Sequence, residues 1–184
     1  MKILFCLAVF VLGTLAKDPT LYEHYTSGGI KSGLEANHPD HFTLNGKPFV
    51  IYGGSFHYFR AVPQHWREIL HRFKAAGLNA VQMYVPWNLH EEMPGHFDFE
   101  SAHLNLAKFL EEIKLADMFA IVRPGPFINA EWEFGGFPSW LMRDQHMQLR
   151  TNYKPYLERV KLYFEQALKI INRFQFSTGT FVMK

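Results

Sequence analysis

A short apolar run, a polar loop and a helix-period segment recur in that order three times along this chain, and this recurrence constrains the fold more than any other feature. The runs are Phe49 to Phe56, Asn79 to Trp87 and Met118 to Val122. Pro63 opens the first helical segment, with Trp66, Ile69, Leu70, Phe73 and Ala76 on one face and Gly77 as its stop. The second covers roughly Ser101 to Ala116, with Ala102, Leu106, Phe109, Leu110 and Ile113 inward, and Asp117 stands where a left-handed terminating residue is expected. The third runs from Pro155 to about Ile171, with Tyr156, Leu157, Val160, Phe164, Ala167, Leu168 and Ile171 inward. Three strand-then-helix units in series argue an α/β fold with a parallel sheet. The loops after the strands are long and chemically rich, and those after the helices are a few residues, which is the organisation of a (β/α)8 TIM barrel. No Gly-rich phosphate loop follows the first strand, so a doubly wound nucleotide fold fits less well. A complete barrel takes about 250 residues. The 184 residues here are therefore expected to be the N-terminal part of one, with three βα units and a possible fourth strand at Thr180 to Met183.

The ends of the chain read differently. Lys2, the apolar run Ile3 to Leu12 and the small residues up to Ala16 have the form of a cleaved secretory signal, too short to span a bilayer, and no later segment is apolar enough to do so. The expected organisation is a signal at 1–16, a polar lead-in at 17–40, a partial barrel at 41–171 and a tail at 172–184. Within it, His41 to Phe49 reads as a hairpin around the turn Asn45-Gly46, placed to close the bottom of the barrel. The only cysteine, Cys6, lies in the signal, so a mature product is expected to be held by packing without a disulfide. A secretory destination follows, extracellular or lysosomal, although no Asn-x-Ser/Thr site is present. The formal net charge of +2, with dispersed Lys and Arg, argues against a nucleic-acid partner.

Chemistry concentrates in Arg123 to Pro138, where carboxylates, Trp132 and Phe residues stand on Gly-rich backbone at the exit of the third strand. Acceptors for hydroxyls beside flat aromatic surface suit a sugar. In extended backbone, Glu131 and Glu133 would point to one side with Trp132 opposite. Such a local pair straddles a glycosidic bond poorly, so one is expected as a substrate ligand and the other as a structural partner, with Arg123 a candidate for it. Tyr84, Trp87, Asn88 and His90 leave the second strand at the equivalent height: Tyr84 and Asn88 as hydrogen-bonding groups, Trp87 as a stacking surface, or all of them as an interior aromatic layer. His57 and Tyr58 leave the first strand, where a structural histidine is favoured over a general base. His90-Glu91-Glu92 lacks a second histidine at metal-ligand spacing, and neither a nucleophile elbow nor a Walker loop is present.

Three long motifs, in order, carry a resemblance: Gly54 to Arg60 (GSFHYFR), Tyr84 to Glu91 (YVPWNLHE) and Arg123 to Gly136 (RPGPFINAEWEFGG). From about Phe42 to about Leu168 the chain resembles the N-terminal part of the glycoside hydrolase family 35 β-galactosidases, and most nearly their animal members. The resemblance implies a (β/α)8 catalytic barrel, followed in full-length members by β-rich domains, and retaining hydrolysis of terminal β-linked galactose with neither metal nor organic cofactor. It matches Tyr84, Asn129, Ala130 and Glu131 to galactose-binding positions; Asn129 stands where some members have Cys. The family's two catalytic glutamates lie after its fourth and seventh strands, the first in an Asn-Glu pair. No such pair follows residue 171 here, and Asn172 to Lys184 departs from the family motifs. The expectation is a β-galactoside-binding wall without a catalytic residue, silent in hydrolysis by itself. A weak galactose-binding fragment and an unstable product without function remain the alternatives.

Overall fold

The computed structural model describes residues 18–178 and 181–183, so the leader read at 1–16 lies outside the described residues. The lead-in is more ordered than its composition suggests. Thr20 and Glu23 form a reciprocal capping box that opens helix α1 (Leu21–Thr26), and strand β1 (Leu34–Glu35) pairs antiparallel with β2 (Phe42–Leu44). Asn45 and Gly46, both at positive φ, make the expected turn into β3 (Lys47–Phe49). This small sheet closes one end of the molecule: Leu44 and Phe49 pack with Ala80 and Phe119, the first residues of two strands of the main sheet.

That main sheet is parallel, in the order β4 (Gly53–Ser55), β5 (Ala80–Tyr84), β6 (Phe119–Arg123). Its register places Tyr84 opposite Arg123 at the C-terminal edge. β4 is shorter than the apolar run Phe49 to Phe56 predicts. Val50 and Tyr52 are exposed and engaged through their backbones: the Tyr52 carbonyl accepts from the amides of Asn79 and Ala80, its N–H donates to the Asn79 side-chain oxygen, and the Val50 carbonyl accepts from the Asn79 side-chain amide. Gly54 explains the close approach of the following helix: a Cβ there would lie 2.7 Å from the ring of Phe73.

Helix α2 (Pro63–Ala75) follows β4 after a single 3-10 turn at Tyr58–Arg60, and buries Trp66 and Leu70. The four-residue helix α3 (Trp87–His90) follows β5 directly, and α4 (Leu106–Leu115), capped by the Asn105 side chain, buries Leu106, Phe109, Leu110 and Ile113. Asp117 takes φ 54, and its carboxylate accepts from the Leu21 amide and the Lys74 ammonium, tying the lead-in to the ends of α2 and α4. Helix α5 (Lys154–Asn172) faces the core through Tyr156, Val160, Tyr163, Ala167 and Ile171. Leu157 and Leu168, expected inward, are 46% and 45% exposed, because they belong to a second apolar row beside the one that meets the sheet. Beyond α5, Val182 makes parallel bridges to Ala120 and to Gln175, so the segment expected as a fourth strand lies beside β6, with Thr180 outside the described residues.

Candidate functional site

The exits of β4, β5 and β6 converge on one side, and aromatic and cationic groups join them. Tyr84 ends β5 half-buried. Arg123, across the register, donates to the Tyr84 hydroxyl and lies with its guanidinium 4.4 Å from the ring centre. Arg123 therefore serves Tyr84 and not the glutamates, which corrects the pairing expected from the sequence. The hydroxyl accepts in that bond, so its own proton stays available to a ligand. His57, leaving β4, accepts at Nδ1 from the Tyr84 backbone amide (3.3 Å) and packs against the Tyr84 ring. Burial, then the positive charges of Arg60 and Arg123, pull its pKa below the usual histidine value, so it is held neutral as an acceptor.

After β6 the chain turns sharply. Asn129, Ala130 and Glu131 have φ of 57, 56 and 46, three consecutive left-handed residues with no glycine among them. The extended geometry that would set Glu131 and Glu133 on one side is therefore absent, and the i, i+2 argument does not apply. Two main-chain bonds close the turn: Trp132 donates to the Asn129 carbonyl (3.0 Å) and Ile128 to the Gly135 carbonyl (2.8 Å). The Arg60 guanidinium donates to the Ala130 carbonyl, and the Trp132 indole N–H donates to the Asn88 side-chain oxygen (3.1 Å). Asn129 and Glu131 are left exposed and Ala130 is buried.

The four residues singled out by resemblance thus lie on the strand-exit side. Tyr84 reaches the turn through His57, Phe59 and Trp132, whose rings succeed one another at 5.0, 5.5 and 4.9 Å. Other residues singled out by sequence are elsewhere engaged. Trp87 is fully buried, stacked 5.1 Å from Tyr163, and offers no surface to a sugar. His90 is buried with it, its Nδ1–H donating to the Asp98 carbonyl and its Nε2 accepting from the Tyr58 hydroxyl. Glu91 accepts from the Trp87 indole and the Gly95 amide, which accounts for its burial. Glu92 and Glu133 line a cavity of about 490 Å³ with Phe134, Trp140 and Met142, on the loop side of α3. Arg60 and the Arg123–Tyr84 pair are the contributors that sequence reasoning missed. Arg60 closes the Gly54 to Arg60 motif, yet nothing in its neighbours announces a carbonyl seventy positions away.

Comparison with known proteins gives the fold and the family. Among solved structures, the endo-1,4-beta-mannanase from Rhizomucor miehei superposes with a TM-score of 0.54 at 16% identity, over 83% of this chain and 46% of that one. The exo-beta-1,4-mannosidase Op5Man5 from Opitutaceae bacterium strain TAV5 gives a TM-score of 0.50 at 18% identity, over 72% and 24%. At such identities the likeness speaks for the fold alone, and it defines the class: an α/β chain with the fold of glycoside hydrolase (β/α)8 enzymes. The model of glycosyl hydrolases family 35 matches residues 41–184, a span that takes in the last segment as well, and the chain belongs to that family. The human Beta-galactosidase-1-like protein 2 is 45% identical over 138 residues, which is 75% of this chain and 22% of that protein. The mouse Beta-galactosidase is 44% identical over 121 residues, 66% of this chain and 18% of that protein. The chain thus spans about a fifth of the length of these relatives.

Proposed function

We propose that this chain forms one wall of a β-galactoside site in the N-terminal part of a (β/α)8 barrel, and that it binds the sugar without cleaving it. The observation that carries the reading is the left-handed turn Asn129-Ala130-Glu131 at the exit of β6, with Tyr84 at the exit of β5. A carboxylate at Glu131 and an amide at Asn129 supply acceptors and donors for vicinal hydroxyls, and the free Tyr84 proton adds a directional donor. Retaining hydrolysis needs two carboxyl groups flanking the scissile bond from different elements. Glu131 and Glu133 share one loop, and the family resemblance assigns neither to the chemistry. Hydrolysis of terminal β-linked galactose is accordingly proposed for the whole enzyme of this type, with Tyr84, Asn129, Ala130 and Glu131 as sugar ligands.

Saturation-transfer NMR at millimolar galactose tests the wall. Transfer that Glu131→Gln weakens is expected, and no transfer to the unmodified chain overturns the reading. Purified chain should leave an aryl β-galactoside intact; turnover abolished by Glu131→Gln would refute the silence. Passage through the secretory pathway is proposed from Met1 to Ala16, and N-terminal sequencing of the secreted product should begin near Lys17.

A further inference from the structure

We infer that Arg60 is a positioning residue for the sugar-binding turn: its guanidinium clamps the Ala130 carbonyl and so holds Asn129, Ala130 and Glu131 in their left-handed conformation. The inference rests on the galactoside reading for its functional meaning, but the clamp itself can be tested without any sugar.

Left-handed backbone is unfavourable for residues carrying a Cβ, and here three stand in a row. Something outside the turn must oppose that preference. The carbonyl of the middle residue, Ala130, receives the Arg60 guanidinium, which comes from the 3-10 turn after β4, while the turn itself follows β6. Arg60 is itself held in place: its guanidinium lies 5.4 Å from the Trp132 ring and 5.7 Å from the Phe59 ring, and those two rings meet edge to face at 4.9 Å. A cation fixed over two aromatic rings donates a charge-assisted bond with little further ordering to undergo. Trp132 is fixed in turn by Asn88, from α3 after β5. The clamp therefore links all three strand exits through the one carbonyl whose position sets where Asn129 and Glu131 point. Lysine keeps the charge but loses the planar fork that can bond a carbonyl while lying over a ring.

Hydrogen exchange of the Trp132 amide, which closes the turn onto Asn129, reads the conformation directly. Arg60→Met should accelerate that exchange about tenfold or more, relative to amides of β5 and β6, and Arg60→Lys by less. Galactose saturation transfer should fall in the same order. In an Ala130→Gly background the left-handed state is intrinsically allowed, so the effect of Arg60→Met on exchange should shrink severalfold. Unchanged Trp132 exchange in Arg60→Met overturns the clamp, as does uniform acceleration of all core amides, which would mean global destabilisation. An undiminished effect in the Ala130→Gly background overturns it as well. Absence of galactose transfer in the unmodified chain, with slow Trp132 exchange, would refute the sugar reading and leave the clamp standing.

Discussion

Tyr163→Phe isolates one oxygen atom in the support of the site. Tyr163 is fully buried on α5, and its hydroxyl lies 2.8 Å from the Pro124 carbonyl and 3.0 Å from the Val85 carbonyl. Those carbonyls belong to the first residues beyond β6 and β5, so one proton ties two strand exits together. A hydroxyl has a single proton to donate, so the two contacts count as one shared bond and not as two. Losing a buried bond removes about 1 kcal/mol, and stranding a buried acceptor adds about 1 to 3 kcal/mol, partly offset because no phenolic oxygen remains to be desolvated. The expected loss is about 2 kcal/mol. Burial also drives the Tyr163 pKa far upward, so the hydroxyl stays protonated across the working range and the effect should not vary with pH. Urea unfolding followed by tryptophan fluorescence measures it: the midpoint should fall while the slope stays constant. Phenylalanine preserves the stack on Trp87, so Tyr163→Leu should cost more than Tyr163→Phe. A change below about 0.5 kcal/mol for Tyr163→Phe would refute the idea that this bond joins the exits.

Acidification should destabilise the fold through His90. Burial pushes its folded-state pKa down to about 4, against an ordinary 6.5, so below 6.5 the unfolded chain binds a proton that the native chain does not. Stability is then lost as pH falls from about 6.5 to about 4, by roughly 3 kcal/mol from this residue; urea midpoints that stay flat over that interval would contradict the burial argument. Leu157→Glu and Leu168→Glu should each change stability by no more than about 0.5 kcal/mol, because both side chains stand out from α5. Tyr156→Ala, on the sheet-facing row of the same helix, should cost about 3 kcal/mol or more by the same unfolding assay.

Much of the scaffold was legible because helix periodicity and its punctuation agree. Pro63 and Gly77 bracket α2 and Pro155 stands in the first turn of α5, whereas α4 starts at Leu106 behind the Asn105 cap, later than the expected Ser101, with Ala102 exposed in a separate 3-10 turn. What periodicity cannot decide is which of two adjacent apolar rows meets the sheet, and Leu157 and Leu168 fell on the wrong one. Helix α1 carried a readable signal in Thr20 and Glu23, the spacing of a capping box, within a segment whose overall composition argued for a loop. The gathering of polar and aromatic residues at the strand exits was legible from their recurrence, but not its geometry. An Asn-Ala-Glu sequence gives little local reason for three left-handed residues, and Trp87 looks the same on paper whether it stacks on a ligand or on Tyr163.

The shape of the turn is thus a tertiary property. Left-handed conformation at three non-glycine residues costs roughly 3 to 6 kcal/mol, at about 1 to 2 kcal/mol each. A charge-assisted bond such as Arg60 to Ala130 offsets about 1.5 to 3 kcal/mol of that, and the Trp132 to Asn88 bond about 1 kcal/mol. Together the two bonds offset much of that cost, and the weaker Trp132 bond does not do so by itself. Both partners arrive from other strand exits, so the isolated segment from Arg123 to Pro138 has no means of holding the turn, and the wall exists only where β4, β5 and β6 are already assembled. Ligand binding at such a turn is thermodynamically linked to folding: galactose that binds the native wall, and not the unfolded chain, must raise the unfolding midpoint in proportion to the logarithm of its concentration once the site is saturated. Removing Arg60 should then weaken the ligand-induced shift more than it weakens the unliganded fold, because the clamp acts on the turn proposed to meet the sugar and on little else.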